Sequence, residues 1–217
     1  MRNAEQLLSV VESEHLLSCD TPDFDVEEFA RLLGPRIVKT SGKTYAIAAH
    51  REDPTDCSDR TDYFDWHSDG LYHPNPPRFV LLHCLDPGSS EAMTELADVL
   101  LILTKLGERS LAALHKLRSH YVGHGGNFAH PILSNDGMLL ASRGYVSPLP
   151  GLPLESLRSI REIGETLSEL CRAMDESAVP HHWTGGRTLI FEQRRFMHRR
   201  NSAIIDRDRK LLRMWFN

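Results

Sequence analysis

A chain of 217 residues can bury one substantial core and is short for two, so a single domain spanning residues 1–217 is expected. Its composition is 41% hydrophobic and 25% charged with a net charge of -5, which gives no basic footprint for nucleic acid and points to small-molecule partners. No run reaches the roughly 20 apolar residues of a membrane helix and the first residues lack the apolar stretch of a signal peptide, so no membrane role and a cytoplasmic location are expected.

Apolar residues Leu7, Leu8, Val11 and Leu16 recur at helical spacing and predict a helix over residues 4–17. A second helix is predicted over residues 25–33, with Asp25 as its N-cap and Gly34-Pro35 as its stop, so that N-terminal helices fill about 1–34. Short apolar runs at 44–49 and 79–85 suit strands. Between 96 and 119 the pattern turns helical, with a break near Gly107. A hairpin follows, with Asn135-Asp136-Gly137 as its turn between 131–133 and 138–141. Past a Pro/Gly-rich loop the longest helix is predicted over 154–174, where Leu157, Ile160, Leu167, Leu170 and Met174 keep one face apolar. Strands return at 188–191 and 211–216. Strands at both ends of a helical middle predict a mainly β chain with inserted helices (α+β), compatible with a double-stranded β-helix, or jelly roll.

The four cysteines, Cys19, Cys57, Cys84 and Cys171, have no zinc-like or disulfide-framework spacing and are expected to be reduced thiols. Twelve histidines, by contrast, are a rich supply of metal-binding side chains. His67-Ser68-Asp69 is an H-x-D pair, and on a strand residues two apart share a face. Chance supplies about 1.7 such His-x-acid pairs in this composition, and His50-Arg51-Glu52 is a second one. The context that separates them is a distant third ligand. A facial triad joins two histidines and one carboxylate on one side of an iron, and His198, beyond the strand-like 187–191, completes it. Arg209 and Arg213 lie four residues apart on the final strand and share a face; arginine's planar fork suits a carboxylate. His181-His182 and His120/His124 offer a weaker second metal site, since adjacent histidines on a strand point to opposite faces.

From roughly Asp65 to the C-terminus these residues resemble the taurine dioxygenase and clavaminate synthase-like family of iron(II)/2-oxoglutarate dioxygenases. The Pro-containing strand 76–84 and the segment from Gly88 to Thr94 look like that family's strand and its Gly-Gly-x-Thr segment, although the glycine pair is reduced to Gly88 with serines. The distal pattern continues through Gly185-Gly186-Arg187, then Phe191-Glu192-Gln193-Arg194 where the family has Asp-Asn, then His198, Arg209 and Arg213. The resemblance implies His67, Asp69 and His198 as ligands of Fe(II). It implies Thr94, Arg209 and Arg213 as 2-oxoglutarate contacts, with dioxygen as the other cosubstrate. Thr94 also reads as a simple helix N-cap.

Trp66, Tyr72, Asn127, Arg143 and Arg213 are the candidate substrate contacts, and the two arginines among them point to an anionic or zwitterionic substrate. Asp69 excludes the halogenating relatives, which leave that position small. The expected activity is decarboxylation of 2-oxoglutarate coupled to C–H hydroxylation or desaturation of a small polar, amino-acid-like or natural-product substrate. A catalytically silent metabolite-binding relative and a zinc-type hydrolase are the alternatives.

Overall fold

Helix α1 (Ala4–Glu14) ends earlier than its apolar spacing predicts, and the physical cause is local. In the computed structural model, which describes residues 4–39, 46–49, 64–71, 73–88, 93–123, 126–140, 157–201 and 209–217, His15 takes a left-handed φ of 64°. Its N–H still closes on Val11 O at 2.9 Å, and the chain leaves as strand β1 (Leu16–Asp20). Leu16 is therefore a strand residue. It pairs with Phe191 on the edge of a sheet, and Leu17 turns to the opposite face.

Helix α2 (Val26–Leu33) begins and ends as its sequence dictates. Asp25 accepts hydrogen bonds from the N–H groups of Glu27 and Glu28, both at 2.9 Å, and Gly34, at φ 52°, stops the helix before Pro35. The chain then supplies β2 (Ala46–Ala49), β3 (Phe64–His67), β4 (Phe79–Asp86) and β5 (Thr94–Asp98). The helical middle holds α3 (Val99–Thr104) and α4 (Glu108–Lys116), separated at Gly107 as expected. The hairpin β6 (Arg118–Gly123) and β7 (Gly126–Pro131) follows, then α5 (Leu157–Glu176). Last come β8 (Ala178–His181), β9 (Arg187–Glu192), β10 (Phe196–Arg200) and β11 (Lys210–Phe216). The predicted turn at 135–137 exists, with Gly137 at φ 80°, but it closes a single bridge between Leu133 and Leu139; the true hairpin is β6–β7.

Two antiparallel sheets face each other, with strand orders β1-β9-β4-β11-β2 and β3-β10-β5-β8. No strand pair joins them into a closed barrel among the described residues. Alternation along the strands sorts side chains into three apolar layers. Phe79, Leu81, Ile190, Leu212, Met214 and Phe216 pack outward against Leu7, Val11, Phe29 and Leu33 of α1 and α2. Trp66, Ala97 and Met197 of the other sheet pack outward against α3, α4 and α5. Val80, Leu82, Leu189, Phe191, Trp215 and Leu96 fill the space between the sheets. Each such side chain removed from water contributes about 1.5–3 kcal/mol, which secures both sheets from outside and inside. The polar residues of the next subsection lie in that inner space, at one end of its apolar filling. No helix of the described residues is long and apolar enough to cross a membrane.

Candidate metal centre

Strand pairing creates the first half of the site. β3 and β10 run antiparallel with His67 and His198 as direct partners, so both rings leave the same face, with centroids 4.0 Å apart. Met197 and Arg199, on the alternate face, turn toward the helices. His67 is the last residue of β3, and Asp69 lies in the turn beyond rather than on the strand. Gly70, at φ 69°, makes that turn; a Cβ there would lie 2.5 Å from Pro77 Cδ. Gln193, fully buried at the end of β9, completes the placement by accepting from the Asp69 N–H and donating to Asp69 O at 3.3 Å and Pro77 O at 2.6 Å.

The result is a cluster of three buried donors whose ligand atoms all lie within 4.8 Å of one another. Asp69 Oδ1 is 3.5 Å from His67 Nε2 and 3.8 Å from His198 Nε2. His67 Nδ1 donates to the carbonyl of Asp65 at 2.7 Å, which orients the ring with Nε2 toward Asp69. Trp215 Nε1 donates to Asp69 Oδ2 at 2.8 Å and leaves Oδ1 toward the histidines. Burial on its own would raise the Asp69 carboxyl; Arg213, with Nη1 3.7 Å from Oδ1, together with His67 and His198, outweighs it and holds the group ionised well below the usual carboxylate range. Burial and the charge of neighbouring His67 push the His198 imidazole down to about 3, so it is neutral and able to ligate at physiological pH.

A second polar corner lies along the same inner face. On β11 Leu212, Met214 and Phe216 face the helices, so Arg213 and Trp215, with Arg209 just before the strand, face inward. Arg209 is 2% exposed, and its guanidinium sits 6.0 Å from the ring centroid of Trp183. Trp183 in turn donates from Nε1 to Thr94 Oγ1 at 3.0 Å. Burial and the nearby Arg200 lower Arg209 to about 10, which still leaves it charged at neutral pH. Cys84 stands beside it as a thiol that burial pushes up to about 11. Thr94 opens β5, and the N-cap of the following helix is Asp98, whose side chain accepts from Leu100 N at 2.8 Å.

Residues 18–215 match the taurine catabolism dioxygenase TauD/TfdA family. The chain belongs to that family. It is accordingly an iron- and 2-oxoglutarate-dependent dioxygenase. No curated protein sequence matches it. Among solved structures it is similar to an asparagine oxygenase, with 18% identity and a TM-score of 0.76, covering 98% of this chain and 78% of that one. PvcB from Pseudomonas aeruginosa is similar at 20% identity and a TM-score of 0.70, covering 99% and 79%. A taurine dioxygenase from Burkholderia xenovorans aligns at 17% identity and a TM-score of 0.67, covering 98% and 80%. At these identities the structural likeness is one of fold.

The donor set of this dioxygenase fits iron(II): two imidazoles and one ionised carboxylate, all buried. His198 Nδ1 has no hydrogen-bond partner among the described residues, so ring contacts with His67 and with Phe191, 4.9 Å away, orient it. Among the other sequence candidates, Trp66 is turned the other way. It alternates with His67 on β3, is fully buried against α5, and donates from Nε1 to Asp175 Oδ1 at 2.9 Å. The strand alternation that points His67 inward points Trp66 outward, which corrects its expected place beside the substrate. Asn127 is on β7, but its side chain, like Tyr72, Arg143 and the competing His50-Arg51-Glu52, lies outside the described residues.

Gln193 and Trp215 are the residues that sequence reasoning missed. Gln193 had a signal, since it replaces the asparagine of the family pattern. Its neighbour Glu192, likewise one methylene longer than the family's residue, accepts from Arg78 Nε at 2.6 Å and pairs with His15 Nδ1 at 2.5 Å, tying the end of β9 to the starts of β4 and β1.

Proposed function

We propose that this dioxygenase hydroxylates a small amino-acid-like or zwitterionic molecule, with His67, Asp69 and His198 as the iron ligands and Thr94, Arg209 and Arg213 around 2-oxoglutarate. The convergence of three buried donors within 4.8 Å carries the reading. When bound, iron(II) supplies the activation of dioxygen that couples 2-oxoglutarate decarboxylation to C–H oxidation. The chain's own groups do the rest. Three protein ligands on one side leave the opposite side of a metal for small molecules. Arg209 offers a buried fork, charged at neutral pH, for a distal carboxylate, with Thr94 across Trp183. Arg213, with Nη1 3.7 Å from Asp69 Oδ1, is a cation beside the metal position, suited to an anionic group on cosubstrate or substrate. The apolar layer of Phe191, Leu189 and Trp215 excludes water beside the metal position. An Asp at position 69 supports hydroxylation or desaturation over halogenation.

The substrate class draws support from two similar structures, an asparagine oxygenase with 3-hydroxyasparagine and OrfP with 3-hydroxyarginine. Tyr72, Asn127 and Arg143 remain its proposed contacts. From β2 onward successive strands alternate between the sheets, apart from the β5–β8 pair that brackets the helical insertion, and this order supports a jelly roll in a single domain. Cys84 is a buried thiol, in keeping with a cytoplasmic setting.

Anaerobic titration with Fe(II) and 2-oxoglutarate tests the site through the visible charge-transfer absorption of the chelate. The band is expected in the parent, absent in His198→Ala and weakened in Arg209→Ala. Folded parent protein without a band would overturn the ligand assignment. Succinate release stimulated by free amino acids or similar zwitterions tests the substrate class; stimulation confined to non-ionic compounds would overturn it.

A further inference from the structure

Trp215 stands at the metal position without being a ligand. It is 3% exposed, and its indole N–H reaches Asp69 Oδ2 at 2.8 Å, so donor and acceptor are both buried. The carboxylate's two oxygens thereby receive different tasks. Oδ2 is held by the indole, while Oδ1 is the oxygen that faces both histidine Nε2 atoms. The indole is itself fixed. The Arg213 guanidinium lies 4.7 Å over its ring, His73 meets it edge-on at 6.0 Å, and β11 pairs with β4 on its backbone. The other two tryptophan indoles are committed elsewhere, Trp66 to Asp175 and Trp183 to Thr94.

We infer that Trp215 is a positioning residue that confines Asp69 to metal coordination through Oδ1 alone; this rests on the reading of His67, Asp69 and His198 as the metal ligands. A carboxylate can bind a cation through one oxygen or through both. Turning Asp69 to present both would strip a buried indole N–H of its acceptor, which a water-excluded site penalises. One-oxygen binding matters because the open coordination positions must take a two-point chelating cosubstrate and dioxygen. A second Asp69 oxygen on the metal would occupy one of them. Gln193 sets the backbone of Asp69, and Trp215 sets the rotation of its carboxylate. The two act on different atoms of one ligand.

The test uses Trp215→Phe, which keeps an aromatic ring under Arg213 and removes the N–H donor together with part of the indole's bulk. Co(II) binding is followed by visible absorption in the parent, Trp215→Phe, Asp69→Ala and the double variant, with no turnover required. Trp215→Phe is expected to bind Co(II) about 10–100-fold more weakly, with an altered ligand-field spectrum, and to have no further effect once Asp69 is Ala. An unchanged affinity and spectrum, or an equal loss in both backgrounds, would overturn the inference while leaving the ligand set standing. A folded parent that takes up no Co(II) would overturn the ligand reading, and the inference with it. Should Trp215→Phe fail to fold, the parent decides through its three indole N–H resonances. Zn(II) is expected to shift that of Trp215 and leave that of Trp66 in place; an unmoved Trp215 resonance would overturn the inference.

Discussion

Arg209 has two environments pulling on it. Burial lowers its pKa to about 10, yet at neutral pH it remains a cation sealed in the protein, and such a charge favours a carboxylate ligand. Replacing it by Ala is expected to weaken 2-oxoglutarate binding about 10–100-fold, the equivalent of about 1.5–3 kcal/mol for a charge-assisted contact, with Lys recovering part of the loss. An isothermal titration of the metal-loaded protein measures this, and an unchanged affinity would move the cosubstrate elsewhere. The role proposed for Arg209 follows a sequence pattern, as do those proposed for His67, Asp69 and His198. Trp66 shows where that reading stops: adjacency to His67 in sequence becomes opposition across a strand.

Elements, rather than single residues, hold the ligand strands in register. Arg199, next to His198, stacks over Trp66 at 4.4 Å, bonds Glu95 of β5 at 2.6 Å, and pairs with Asp175 of α5, so one guanidinium joins β3, β5, β10 and α5 behind the metal centre. Arg199→Ala is expected to cost about 2 kcal/mol in urea unfolding, because a cation–π contact and a part-buried charged hydrogen bond are lost together. A change within experimental error would show that α5 packs on apolar contacts alone.

Glu192 does the same work on the opposite sheet. Burial alone would raise its pKa, but Arg78 and His15 hold it below the ordinary 4.5. A depressed folded-state pKa means that its stabilisation is present above about 4.5 and is lost as pH falls through the lower folded value. Glu192→Gln is therefore expected to lower stability at pH 7 by about 1–2 kcal/mol, a figure reduced by the exposure of Arg78 and His15, and to flatten the acid limb. Denaturant midpoints at pH 7 and pH 3 decide it; parallel losses at both would remove the charge from the explanation.

Across the whole molecule the site is a junction. His67 and His198 come from one sheet, Arg209, Arg213 and Trp215 from the other, and Asp69 from a turn held by Gln193 at the end of β9. Any ligand bridging these groups binds the folded chain alone and stabilises both sheets together. Metal with 2-oxoglutarate at about 100 times its Kd is expected to add about 2.7 kcal/mol, read as a rise in Tm that a chelator reverses. A Tm indifferent to both would mean that the sheets meet without a bridging ligand.

The sequence by itself determined what depends on neighbouring residues and on a spaced pattern: the Asp25 cap and Gly34 stop, the helix break at Gly107, the apolar strands β4, β9 and β11, and the three residues that cluster as the candidate triad. Tertiary structure decided what depends on partners far along the chain. β1 is a strand because an edge of the larger sheet accepts Leu16–Asp20, although its leucines continue a helical spacing. β5 is a strand because Thr94–Asp98 lies between β10 and β8, although Leu96 reads as the start of a helix. Asp69 reaches the histidines through a glycine turn and a glutamine 124 positions away, and Trp215 reaches Asp69 across 146. Backbone pairing and buried hydrogen bonds of that range have no local signature, since each partner is satisfied only once the two sheets have met.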